Sequence, residues 1–141
     1  MIKDFSFGIV PINVCSDQKF HVLMIKHAGG HWGFPKGHPE KGENPLETAM
    51  RELQEETSLK IDPTLLHEQE LTEQYTFKSG NGMVLKTVKY FIARVENPDE
   101  IKLDRREVVE AQWVDVNEAP MYLTYEEARR VCRETAQILQ G

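Results

Sequence analysis

The segment from Arg51 to Leu59, RELQEETSL, carries three carboxylates and an arginine. On a helix at about 100° per residue, Glu52, Glu55 and Glu56 fall within roughly a 100° arc. Like charges at i and i+4, such as Glu52 and Glu56, repel one another, and partial burial raises the cost. The ordinary reading of an acidic run is a solvated face balanced by lysine or arginine. The sharper reading is a site for a hard divalent cation, because magnesium favours oxygen ligands and takes one or two carboxylates together with waters and phosphate oxygens.

The element that must present these groups has its start written into the sequence. Asn44 is a capping residue, Pro45 suits the first helical position, and Glu47 completes a capping-box-like pair. Leu46, Ala49, Met50 and Leu53 follow at i, i+3, i+4 and i+7, an apolar face beside the carboxylates. Before the helix, HAGGHWGFPKGHPEKGENP is dense in Gly, Pro and His and reads as loop. Further upstream, FSFGIVPINV and KFHVLMIKH, separated by CSDQ, read as one hairpin. LLHEQELTEQYTF and MVLKTVKYFIARV, joined through KSGNG, read as a second, and EAQWVDV as a last short strand. TYEEARRVCRETAQILQ reads as a terminal helix capped by Thr124, with Ala128, Val131, Cys132, Thr135 and Leu139 along one side. The order strands, helix, strands, helix predicts an α/β or α+β fold with a mixed sheet.

The spacing around the carboxylates carries a resemblance. From Gly37 the chain reads GHPEKGENPLETAMRELQEETSL: a glycine, five residues, Glu43, seven residues, Arg51-Glu52-Leu53, one residue, Glu55-Glu56. This resembles the Nudix box, G-x5-E-x7-R-E-U-x-E-E-x-G-U with U aliphatic, and departs from it only where Ser58 replaces a glycine. The resemblance implies an α/β/α sandwich with a mixed central sheet, and a loop-helix-loop that brings carboxylates to a metal. It implies Glu52, Glu55 and Glu56 as ligands of Mg²⁺, with Mn²⁺ an alternative, and Arg51 and Glu43 as the pair that orients them. It makes Glu55 or Glu56 the group that draws a proton from attacking water, without deciding between them. The family glycine at position 58 implies a left-handed helix end.

Outside the box, HWGFPKGHPEKGE and KTVKYF look like the subgroup of asymmetric dinucleoside tetraphosphatases, a likeness running from about Phe7 to Leu139. Through it, Trp32, Lys36 and His38 match the loop before the box, with Lys36 and His38 facing polyphosphate. Lys86 and Lys89 are further phosphate-binding candidates, because a tetraphosphate bridge carries about four negative charges and one cation leaves several unmet. Glu107 is the outlying metal ligand, with a surface ion pair to Arg105 or Arg106 as its rival reading. Tyr75 and Tyr125 match aromatics that sandwich a base. Tyr90 and Trp113 read as core.

The 141 residues and 40% hydrophobic content suit one domain, spanning 1–141. A net charge of -6 argues against an extended nucleic-acid surface while leaving room for a small nucleotide. No apolar run is long enough to span a bilayer, and Cys15 and Cys132 form no metal or disulfide pattern, so a cytoplasmic protein is expected. Its oligomeric state is not legible. Three readings follow: a Mg²⁺-dependent pyrophosphohydrolase that cuts diadenosine tetraphosphate into ATP and AMP; the same chemistry on RNA 5′ ends or diphosphoinositol phosphates; and a Nudix-fold nucleotide-binding module without hydrolysis, against which all three box glutamates stand.

Overall fold

The apolar runs near the N-terminus form strands buried on both faces, which is why they read as nearly continuous hydrophobic stretches and not as an alternation. The computed structural model describes residues 1–141. β1 (Ile2–Val14) and β2 (Phe20–His27) make the expected antiparallel hairpin, with Ile12 opposite Val22. Ile9, Leu23 and Ile25 enter one core, and their neighbours Val10, Val22 and Met24 enter another on the opposite side of the sheet.

β5 (Ile61–Ser79) and β6 (Gly82–Val95) form the second hairpin, turning through Gly80 in positive φ. What joins the two hairpins is a parallel pairing of β1 with β6, from Ile2 opposite Val84 to Ile12 opposite Arg94. β7 (Val108–Asp115) lies antiparallel to β2. The Gly/Pro/His-rich segment, read as loop throughout, contributes two short strands, β3 (Trp32–Gly33) on β2 and β4 (Lys36–Gly37) on β1. The result is a mixed seven-stranded sheet of order β3-β2-β1-β6-β5, with β7 on β2 and β4 on β1. Gly8 lets β4 lie close: a Cβ there would run into the Pro35 carbonyl and the Tyr90 ring, while the Ile9 amide donates to Pro35 O at 3.2 Å.

Two helices cover the sheet. α1 (Pro45–Thr57) begins with the expected capping box, Asn44 Oδ1 accepting from Glu47 N at 2.8 Å and Glu47 Oε1 from Asn44 N at 3.0 Å. Its Ala49 and Leu53 pack with Ile9, Leu23, Phe91 and Ala93. The helix ends at Ser58 in the left-handed conformation (φ 68°), its amide bonded to Gln54 O and its hydroxyl to Lys102 O at 2.9 Å. α2 (Glu126–Gln140) buries Ala128, Val131 and Cys132 against Val10, Ile12 and Ile92 on the other face. The capping expectation for α2 is corrected: Tyr125 stands at the cap position without a side-chain bond, and the Thr124 hydroxyl instead accepts from Trp32 N at 2.8 Å. That bond, and Thr124 N to Trp32 O, tie the start of α2 to β3. No helix is long and apolar enough to cross a membrane.

Candidate active site

β4 is a partition. On one side of this two-residue strand lies a cleft of about 570 Å³, and on the other lies the carboxylate cluster of α1. The cleft lining stops at Lys36, Gly37 and His38 and includes none of the box glutamates, so the two halves of the site meet through the backbone of β4.

On the helix side, carboxylate oxygens of Glu52, Glu56 and Glu107 lie within 4.8 Å of one another. Glu56 is almost fully buried, and its Oε1 has no hydrogen-bond partner. Burial, followed by the charges of Glu52 and Glu107, pushes its carboxyl up to about 9, opposed by the Lys36 amide. Glu52 is raised for the same leading reason, burial, with Arg51 pulling the other way. An oxygen-only donor set with an unpartnered buried oxygen is what a hard divalent cation fits. Glu107 reaches the cluster from the turn before β7, and Arg105 and Arg106 take other partners, Val109 O and Asp104. Glu55 does not join the three. It stands about half exposed, with Oε1 at 3.1 Å from Arg51 Nη1.

Arg51 is the hub that fixes loop to helix. Its Nε and Nη2 grip Glu43 at 2.6 and 3.0 Å, Nη2 also donates to His38 O at 2.8 Å, and Nη1 donates to Glu52 at 3.0 Å. The Arg51 guanidinium holds the Glu43 carboxyl down at about 2. A fork gripping two oxygens resists rotation as a single lysine contact does not, so the carboxylates of α1 are held in register with the end of β4 and the loop that follows it from His38.

The NUDIX domain model matches residues 5–134. The chain belongs to the Nudix family. Among its Nudix relatives, an asymmetrical bis(5′-nucleosyl)-tetraphosphatase of Rattus norvegicus is 35% identical, covering 86% of this chain and 80% of that one. An RNA pyrophosphohydrolase of Pelagibacter ubique is 34% identical, covering 77% and 74%. The crystal structure of a Caenorhabditis elegans Ap4A hydrolase binary complex superposes with a TM-score of 0.76 at 26% identity over 100% of this chain and 99% of that one. This chain is an enzyme of the family, a hydrolase.

On the cleft side of this Nudix fold, Lys36, His38, Tyr75, Lys86 and Tyr125 all line one cavity, joined by Trp32. Tyr75 and Tyr125 come from β5 and from the start of α2. Lys86 is buried, bonded to Asp4 at 2.9 Å and to the Ser6 hydroxyl, with His38 Nε2 at 3.2 Å; His38 Nε2 also lies 3.0 Å from Asp4. Lys89 is a correction. Three residues along a strand reverse the facing, so Lys89 leaves the cleft and pairs with Glu70 at 3.2 Å. Trp113 is only partly buried, packed on the α1-side core with Nε1 donating to Pro98 O. Tyr90 is core, yet its hydroxyl donates to Glu73 at 3.4 Å at the cleft wall.

Several cleft residues escape the sequence reading. Asp4 meets Lys86 because β1 and β6 run parallel, with Asp4 directly opposite Lys86, a pairing no local pattern announces. His27 and His31 stack at 4.4 Å, and burial lowers His27 to about 4, so it is neutral at pH 7. Glu73 had a legible signal: it sits two residues before Tyr75 on a strand, hence on the same face.

Proposed function

We propose that this chain is a magnesium-dependent pyrophosphohydrolase that cuts dinucleoside tetraphosphates asymmetrically, diadenosine tetraphosphate and water giving ATP and AMP in the cytoplasm. The observation that carries the reading is β4, with an aromatic and lysine-lined cleft on one side and an oxygen cluster on the other. A ligand with a base at each end of a long phosphate bridge can use both, whereas a mononucleotide uses one or the other.

Glu52, Glu56 and Glu107 would hold a divalent cation, which when bound would supply the charge that offsets the bridge and would make water a better nucleophile. The chain's own groups do the rest. Tyr75 and Tyr125 hold one base, and Lys36 and Lys86 meet phosphate oxygens, with His38 beside Lys86. Arg51 and Glu43 keep the carboxylates still. Glu55 or Glu56 takes the proton as the water oxygen bonds to phosphorus and the anhydride P–O bond breaks away from the midpoint of the bridge.

Incubation with diadenosine tetraphosphate and Mg²⁺, with the products separated, tests this. ATP and AMP in equal amounts are expected, with ATP itself turned over far more slowly. Two ADP molecules overturn the reading. Tyr75→Ala and Tyr125→Ala are each expected to weaken binding by about 1–3 kcal/mol, seen mainly in KM. The Pelagibacter relative keeps RNA 5′ ends as a second reading, against which the net charge of -6 counts. Faster turnover of triphosphorylated RNA in the same panel would select it.

A further inference from the structure

Glu73 is a buried carboxylate in the cleft that the proposed chemistry does not use. Only 4% of its side chain is exposed. One oxygen, Oε1, is served by Lys36 Nζ at 3.5 Å and by the Tyr90 hydroxyl at 3.4 Å. The other, Oε2, is buried without a partner. An unserved buried carboxylate oxygen is costly to the folded protein, and such groups in native structures call for a ligand or a role.

The surroundings indicate which ligand. Glu73 and Tyr75 share a face of β5, and Tyr125 and Glu127 at the start of α2 line the same cleft. Trp32, Phe34 and Tyr90 complete walls suited to a flat aromatic ring. With the faces of a base taken by the two tyrosine rings, what is left for Glu73 to meet is its edge. A carboxylate only accepts hydrogen bonds, so the edge it selects must donate. We propose that Glu73 is a specificity-determining residue, its Oε2 accepting a hydrogen bond from the exocyclic amine of an amino-substituted nucleobase such as adenine. This rests on the reading of the cleft as a nucleotide site. Lys36 and Tyr90 hold Oε1 and thereby fix the direction of Oε2. A base that turns a bare ring nitrogen toward Glu73 leaves two acceptors facing each other, and the penalty falls on binding.

The probe pair is AMP and purine riboside 5′-monophosphate, which is AMP without its amine, titrated calorimetrically into the full chain with Mg²⁺ present. The wild-type chain is expected to bind AMP about 10- to 100-fold more tightly, the range for a hydrogen bond to a charged group. Glu73→Met should bring the two affinities within about twofold, and the near-isosteric Glu73→Gln should reduce the ratio at least about threefold. Equal affinities in the wild type overturn the proposal, and so does failure of AMP to bind. Variants that weaken both nucleotides equally also overturn it, since Glu73 would then serve only to hold Lys36. If the AMP preference holds while diadenosine tetraphosphate is not cut to ATP and AMP, Glu73 keeps its role and the substrate assignment fails.

Discussion

The carboxylate of Glu52 lies against the α-carbon of Gly37, in the space that a β-carbon at Gly37 would occupy. The first glycine of the box is therefore a matter of room for a ligand, and not only of loop flexibility. Because the clash is with the far end of a flexible side chain, Gly37→Ala is expected to fold with a melting temperature within a few degrees of wild type. Glu52 will swing out of the cluster. Magnesium affinity measured by calorimetry, and activity with it, should fall by about 10-fold or more. Unchanged metal affinity would show that Glu52 does not need that position.

Glu56 predicts both activity and pH dependence. Its carboxyl titrates near 9 in the folded chain against an ordinary value of 4.5, chiefly because it is buried. A raised folded value means the protonated form is favoured by folding. That stabilisation is full below about pH 4.5 and is lost as pH rises toward about 9. The metal-free chain should therefore lose melting temperature across this window, and added Mg²⁺ should restore it most at the alkaline end. Glu56→Gln mimics the protonated form, so it should flatten the profile while turnover falls by several orders of magnitude. Thermal melts at pH 5 and 8, with EDTA and with Mg²⁺, check the profile, and steady-state assays of Glu56→Gln check the turnover.

Ser58 stands in the left-handed conformation at the end of α1, with its hydroxyl on Lys102 O. A non-glycine residue there costs about 1 kcal/mol, and the exposed hydrogen bond returns about 0.5–1.5 kcal/mol. Ser58→Gly relieves one and loses the other, so its melting temperature should stay within about 2 °C of wild type. Ser58→Ala keeps the strain and loses the bond. It should melt about 4 °C lower.

Lys86 and Lys89 share a strand but not a face. Lys86→Met should lower kcat/KM for diadenosine tetraphosphate by about 10-fold or more, because a charge-assisted phosphate contact is lost. Lys89→Met should leave kcat/KM within about twofold. Equal losses in steady-state assays would mean that the ligand wraps the edge of the sheet.

Local chemistry settled much in advance. Asn44, Pro45 and Glu47 define the start of α1 through bonds that span only three residues. The helical repeat alone puts Glu52 and Glu56 on one face, and the left-handed end at Ser58 is legible only through the resemblance to the Nudix box, whose glycine stands there. Two readings missed what local rules contained or nearly contained: the twofold period of a strand separates Lys86 from Lys89, and it joins Glu73 to Tyr75. The remainder belongs to tertiary structure. Glu107, expected only through the resemblance, joins Glu52 and Glu56 because the turn before β7 is carried there by β7 pairing with β2, while Glu55 turns toward Arg51. Asp4 neutralises Lys86 because β1 runs parallel to β6, and the Thr124 hydroxyl serves Trp32 instead of capping α2. Each of these contacts joins residues far apart in sequence. They depend on strand order and register, and those are set by how two hydrophobic faces are buried at once, which no window of the chain contains.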